Sequence, residues 1–124
     1  MATPAEHRSK ALRNELLIRH HALDQGDFVE WAITVLFYAA LHWIRALSAQ
    51  EGFSVTDYRA ERIALVTLPA FRHGAQEMKL YRALKDASQD ARYEMAAFTA
   101  LEYRDLERNC YGPVKRFILS QLRP

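Results

Sequence analysis

The feature that most constrains this chain is the apolar segment Trp31 to Leu47, in which 14 of 17 residues are apolar. An apolar run of this length predicts a helix, because an average strand has only about 5–6 residues. Thr34, His42 and Arg45 interrupt the segment. A membrane span needs about 20 mostly apolar residues and rarely carries such polar groups unpaired. We therefore expect the core helix of a cytoplasmic protein and no membrane contact.

The composition indicates one all-α domain over residues 1–124. Half of the 124 residues are hydrophobic and 26% are charged, which is typical of a globular protein. Gly and Pro number four each, too few for the many tight turns of a β-rich fold. The formal charge of +2 does not demand a nucleic-acid partner. A single cysteine, Cys110, cannot form an internal disulfide, and the first ten residues lack the apolar run of a signal peptide.

Three sequence patterns predict where helices begin. Thr3 to Glu6, Asp27 to Glu30 and Thr99 to Glu102 each have the form of a capping box, in which the first side chain accepts a backbone hydrogen bond and the fourth returns one. The first helix should end near Leu23. The second should run from Asp27 to Gln50 and contain the apolar segment.

The rest of the chain predicts further helices. Residues 59–66 form a short helix that ends before Pro69. Apolar residues recur every three or four positions from Ala70, which predicts an amphipathic helix that reaches at least Ser88, and residues 90–93 should form a turn. In the last helix, Gly112-Pro113 should introduce a kink before residues 114–122 resume it.

The central helix carries its polar residues on one strip, about 120° wide at 100° per residue. The strip contains Asp27, Glu30, Thr34, Tyr38, His42, Arg45 and Ser48. A helix that is apolar over the remaining two-thirds must be covered on several sides, by its own bundle and by a second copy or another partner. Two interpretations of the strip stay open: it faces solvent, or its middle part lines a cleft.

Two stretches carry a resemblance to a known family. Residues 29–42 place Glu30 before Trp31-Ala32 and continue to Phe37-Tyr38-Ala39-Ala40-Leu41-His42. Residues 81–93 contain Tyr-x-x-Leu, then Ser88, then Ala91-Arg92-Tyr93. In this order and spacing, over about residues 10 to 122, the chain resembles one branch of the HEPN superfamily of small helical domains.

The resemblance implies an up-and-down bundle of four or five helices that is commonly dimeric. Many members are metal-independent ribonucleases or the toxins of toxin–antitoxin pairs, and others are non-catalytic partners of nucleotidyltransferases. The ribonucleases carry an Arg followed, after four to six residues, by a His in a later helix. Here the pair with this spacing is Arg13 and His20, in the first helix, and His73 directly follows Arg72. An active ribonuclease and one that has lost cleavage both stay open.

Two functional hypotheses follow. In the first, the protein binds RNA or nucleotide within a toxin–antitoxin or defence system; Tyr38, Arg92 and Tyr93 contact the ligand. If it cleaves RNA, His42 is the base, and Arg45 and Arg92 hold the phosphate. In the second, it is a non-catalytic homodimeric module that docks a partner such as a nucleotidyltransferase or an antitoxin. Arg92-Tyr93 then only secures a turn. We expect no metal and no cofactor in either case, because the sequence contains no metal-binding motif.

Overall fold

The protein is a bundle of helices, seen in a computed structural model that describes residues 1–94 and 96–124. No strand occurs in those two ranges. The α-helices are α1 (Pro4–His20), α2 (Val29–Gln50), α3 (Tyr58–Thr67), α4 (Ala75–Tyr93), α5 (Ala100–Leu106) and α6 (Gly112–Gln121). A π-helical turn joins α5 to α6, so the described ranges form five helical rods. The prediction of an all-α fold is confirmed.

The helix starts follow the predicted caps at both ends of the chain. The Thr3 hydroxyl accepts a hydrogen bond from the backbone N–H of Glu6 at 3.1 Å, and the Glu6 carboxylate accepts one from the Thr3 N–H at 3.0 Å. The same reciprocal pair joins Thr99 and Glu102 at the start of α5. At the start of α3, Asp57 accepts a hydrogen bond from the N–H of Ala60 at 2.7 Å. These caps satisfy backbone donors that have no partner inside a helix.

The predicted capping box at Asp27 is wrong. Gly26 adopts a φ of +74°, a conformation that glycine tolerates without steric cost, and it opens a 3₁₀ turn that contains Asp27. α2 therefore begins two residues later, at Val29, and its cap residue is Phe28, a side chain with no acceptor atom. The Glu30 carboxylate is free for another role and accepts a hydrogen bond from the backbone N–H of Phe98 at 3.4 Å.

The helix α2 is the core of the bundle, with α1 and α4 packed along it. Fourteen of its 22 residues are buried, including the large side chains Phe37 and Trp43. Burial of one such side chain contributes about 1.5–3 kcal/mol. The segment Gly26–Gln50 is long and apolar enough to cross a membrane, and 72% of its most apolar window is buried inside this bundle. The bundle does not cover the whole helix, since Trp31 is 62% exposed.

The predicted start of the fourth helix and the predicted turn after it are wrong. Pro69 starts a separate 3₁₀ turn, Pro69–Phe71, and Gly74 precedes the first residue of α4. Gly74 also packs tightly against the ring of Phe117, where a Cβ atom would clash. At the other end the helix does not turn at residues 90–93 but continues through Tyr93.

The predicted distortion at Gly112-Pro113 is confirmed as a π-helical turn, Glu107–Tyr111. Proline has no N–H to donate to the preceding turn, so the backbone widens there and then resumes as α6. The turn carries the Tyr111 hydroxyl inward, where it accepts a hydrogen bond from Trp43 Nε1 at 2.9 Å and donates one to Glu15. Lys115 completes this network 2.8 Å from the Glu15 carboxylate, so polar contacts join α1, α2 and α6.

Candidate functional site

The polar strip of α2 is not a uniform solvent face. Thr34 and Ser48 are buried, and each hydroxyl donates to the backbone carbonyl four residues earlier, at 3.0 and 2.9 Å. Such hydrogen bonds satisfy a hydroxyl without a partner from another helix. Between them, Tyr38 is 38% exposed and His42 and Arg45 are half-buried. The three residues that the sequence singled out thus form the accessible middle part of the strip.

Three predicted ligand-binding residues lie together at one end of this part. Arg92 Nη1 donates to the Tyr38 hydroxyl at 3.0 Å, and Arg92 Nε donates to the backbone carbonyl of Ser88 at 3.2 Å. The guanidinium carbon of Arg92 lies 5.6 Å from the ring centroid of Tyr38 and 5.1 Å from that of Tyr93. We call Tyr38, Arg92 and Tyr93 the arginine–tyrosine cluster. This cluster forms because α4 stays helical through Tyr93. A turn at residues 90–93 would have moved Arg92 and Tyr93 out of helical register.

The arginine–tyrosine cluster is accessible to a ligand. Tyr93 is 71% exposed, and Arg92 is half-buried with two of its nitrogens engaged. A guanidinium on aromatic faces is held in place while its remaining N–H groups stay able to bind phosphate oxygens. The tyrosine rings offer surfaces on which a nucleobase can stack.

A pair of histidines occupies the side of the strip that faces α1. His42 Nδ1 lies 3.1 Å from His7 Nδ1, and one of these atoms must donate a proton that the other accepts. Burial first, and then the positive charges of Arg45, His7 and Lys10, lower the pKa of His42 to about 4. Burial and Arg45 also lower the pKa of His7. Both rings therefore share a hydrogen bond as neutral imidazoles at pH 7.

This geometry gives little support to His42 as a catalytic base. A general base is most effective when its pKa lies near the working pH, and a pKa of about 4 makes His42 weakly basic. Arg45 lies close enough to affect the pKa of His42, yet the hydrogen-bond partner of His42 is His7. Arg13 and His20, the pair with ribonuclease-like spacing, are exposed on α1 and line a groove there.

A cavity of about 280 Å³ adjoins the arginine–tyrosine cluster, between α2 and the start of α3. Its lining consists of Tyr38, Leu41, Arg45, Val55, Thr56, Asp57, Tyr58 and Glu61. The Nε atom of Arg45 is buried, and no residue in the described ranges accepts a hydrogen bond from it. Buried donors are nearly always paired, so this guanidinium has unused binding capacity.

Sequence reasoning missed the buried carboxylate at the base of this cavity. Glu61 is 2% exposed, accepts a hydrogen bond from the Tyr81 hydroxyl and lies 2.6 Å from Lys85 Nζ. Lys85 Nζ in turn lies 3.9 Å from the ring centroid of Tyr58. Burial, reinforced by the charge of Glu61, raises the pKa of Tyr81, which keeps its hydroxyl a donor. Lys85 therefore neutralises the buried charge of Glu61.

Comparisons with protein-family models, with curated proteins and with solved structures found no match to this chain. Within residues 1–94 and 96–124, no three His, Cys, Asp or Glu side chains lie close enough together to hold a metal ion. The site thus consists of a cationic and aromatic cluster, a neutral histidine pair, and a cavity lined by Arg45, whose buried Nε–H has no acceptor in the described ranges.

Proposed function

We propose that this protein is a HEPN-like domain that binds RNA or nucleotide through the arginine–tyrosine cluster. One observation carries the proposal: Arg92 lies beside the rings of both Tyr38 and Tyr93 and donates a hydrogen bond to Tyr38, 54 residues away in the sequence. Tertiary structure thus assembles the two groups that a nucleotide requires, a cation for its phosphate and aromatic rings for its base.

The physical chemistry favours a single-stranded ligand. Stacking of one base on an aromatic side chain contributes roughly 1–3 kcal/mol and needs an unpaired base. Arg92 adds charge-assisted hydrogen bonds to a phosphate, and its contacts with Tyr38 and Ser88 reduce the conformational entropy lost on binding. Cleavage is not part of the proposal, since His42 is a weak base. A role in a toxin–antitoxin or defence system is compatible with binding alone.

The test is fluorescence anisotropy with a labelled hexauridine RNA at low salt. We expect Arg92→Gln to weaken binding about 10- to 150-fold, the equivalent of about 1.5–3 kcal/mol for hydrogen bonds to a charged group. Loss of one phosphate contact should also reduce the slope of log affinity against log salt by about 0.7. Tyr93→Leu should weaken binding and leave that slope unchanged.

The matched control is Arg116→Gln, because Arg116 is an exposed arginine of α6 and the change removes the same charge. This variant should bind like the unchanged protein. If Arg92→Gln and Arg116→Gln lose the same affinity for RNA, the binding depends only on the net charge of the protein and not on the arginine–tyrosine cluster. Failure of the unchanged protein to bind RNA would refute the proposal.

A second candidate function is docking of a second copy of this chain, as a homodimeric interaction module. The specific observation is that Phe28 is 56% exposed and Trp31 is 62% exposed. Phe28 is the cap residue of α2 and Trp31 lies in its first turn, so this end of the helix carries an exposed apolar patch. Exposed aromatic patches of this kind are typical of protein–protein interfaces. A partner such as a nucleotidyltransferase or an antitoxin is the alternative occupant.

A further inference from the structure

The cavity around Arg45 has the chemistry to select one nucleobase. It shares Tyr38 with the arginine–tyrosine cluster, so a ligand phosphate on Arg92 and a group inside the cavity can belong to the same nucleotide. We propose that this cavity binds a guanine base. The inference rests on the proposed function and deepens it, because it names the base that the site prefers.

The first step is Arg45, which lines the cavity and has one N–H group without a partner. Its Nε–H is buried, and the described part of the chain provides no acceptor for it. Leaving a buried donor without a partner destabilises the folded protein, and more so when the donor is charged. A ligand that brings acceptor atoms recovers this free energy. The ligand therefore presents at least one hydrogen-bond acceptor, and preferably two adjacent ones, to the fork of the guanidinium.

The second step is the charge balance of the cavity. The charge of Glu61 is already matched by Lys85 at 2.6 Å. Asp57 accepts a hydrogen bond through Oδ1 from the N–H of Ala60, and its side chain is exposed. The lining of the cavity therefore contains a carboxylate as well as the guanidinium of Arg45. A phosphate in the cavity would meet this carboxylate and be repelled. A neutral ligand with hydrogen-bond acceptors on one edge and donors on the neighbouring edge fits both the Arg45 guanidinium and the Asp57 carboxylate.

The third step is the match to guanine. Guanine presents O6 and N7 as adjacent acceptors, and arginine binds this edge with two parallel hydrogen bonds more often than it binds any other base edge. The neighbouring N1–H and N2–H groups of guanine are donors that suit the Asp57 carboxylate. Adenine offers N7 but has a donor at N6, where guanine has its second acceptor.

The size and walls of the cavity agree with a single base. Its volume of about 280 Å³ is near the lower limit of ligand sites, which run from roughly 300 to 1,000 Å³. Tyr38 and Tyr58 contribute aromatic walls. The ammonium group of Lys85, 3.9 Å from the ring centroid of Tyr58, holds that ring in place. These walls provide stacking surfaces that favour a flat ligand.

The test uses four labelled RNA hexamers, hexauridine and its variants with one central G, A or C. We expect the unchanged protein to bind the G-containing hexamer about 5- to 150-fold more tightly than the others, the equivalent of about 1–3 kcal/mol. Arg45→Met retains the packing of the long side chain but removes its donors, and it should bind all four hexamers equally. Arg116→Gln should keep the preference.

A second variant covers the case in which Arg45→Met unfolds the protein. Asp57→Asn retains the cap of α3, because asparagine caps helices as well as aspartate does. It replaces an acceptor oxygen with a donor, so the preference for G should fall. Circular dichroism would verify that each variant remains helical.

The possible outcomes separate this inference from the proposed function. Equal binding of all four hexamers, still weakened by Arg92→Gln, overturns the guanine site and leaves the proposed function intact. No binding of any hexamer overturns both. A preference for A or C, or a preference for G that persists in both cavity variants, also overturns the guanine site.

Discussion

Mild acid should destabilise this bundle through His42. The ring is half-buried, its Nδ1 lies 3.1 Å from Nδ1 of His7, and the nearby charge of Arg45 opposes a second positive charge. Protonation of His42 would give the pair a positive charge. Where His42 Nδ1 is the acceptor, protonation would also break the hydrogen bond to His7. The folded protein therefore binds this proton less readily than the unfolded chain does.

The size of the effect follows from the pKa of His42, which is 6.5 in an unfolded chain and about 4 in the folded protein. Below pH 6.5 the unfolded chain binds the proton first, so the free energy of unfolding falls as the pH falls, until the folded state is protonated near pH 4. Linkage gives a loss of about 2 kcal/mol between pH 7 and pH 5. Partial exposure of the ring to solvent screens the charges, so we expect about half of this, or about 1 kcal/mol.

The measurement is urea unfolding at pH 5 and pH 7, followed by far-UV circular dichroism. His42→Gln keeps a donor and an acceptor beside His7 but cannot titrate, so it should lose about 1 kcal/mol less than the unchanged protein between these pH values. His73→Gln, which replaces an exposed histidine, should behave like the unchanged protein. If His42→Gln and the unchanged protein lose the same free energy of unfolding, the reasoning about the histidine pair is refuted.

Two further changes test the buried carboxylate and the apolar patch. Glu61→Gln leaves Lys85 without its charge partner and should cost about 3 kcal/mol in urea unfolding, part of which Lys85→Met should restore in the double variant; an unchanged unfolding midpoint would contradict this. Trp31→Gln should convert a dimer to a monomer in sedimentation velocity without changing monomer stability, because Trp31 is 62% exposed in the single chain. A protein that already sediments as a monomer at tens of micromolar would refute docking of a second copy.

Local chemistry explains which parts of the fold could be predicted. Thr3 and Thr99 form their capping boxes, because both partners of each box lie within four residues. Asp27 does not form one, since the positive φ of Gly26 places it in a 3₁₀ turn. α4 begins after Gly74, whose close contact with Phe117 is a tertiary feature without any local signal.

The candidate site was predictable in part, for a similar reason. Tyr38, Arg92 and Tyr93 belong to the two stretches that resemble a family, and the structure brings these three side chains together. His7 and Glu61 were not predicted. Each lies on a helix with many polar residues, where a polar residue normally faces solvent, and only the packing of α1 and α3 turns these residues inward.

Polar side chains on a core helix need hydrogen-bond partners, because a buried polar group without one is costly. Thr34 and Ser48 use carbonyls of their own helix. Tyr38 is bonded to a side chain of α4, and His42 is bonded to one of α1.

Arg45 is the exception among these residues of α2. Its Nε–H is buried and has no acceptor within the described ranges, although the Glu61 carboxylate lines the same cavity. The Glu61 carboxylate is bonded to Tyr81 and Lys85, and it does not accept a hydrogen bond from Arg45 Nε. A buried N–H group without an acceptor is a cost in free energy that folding alone does not recover. A ligand recovers it, and this is the physical reason to test Arg45 before any other residue of the strip.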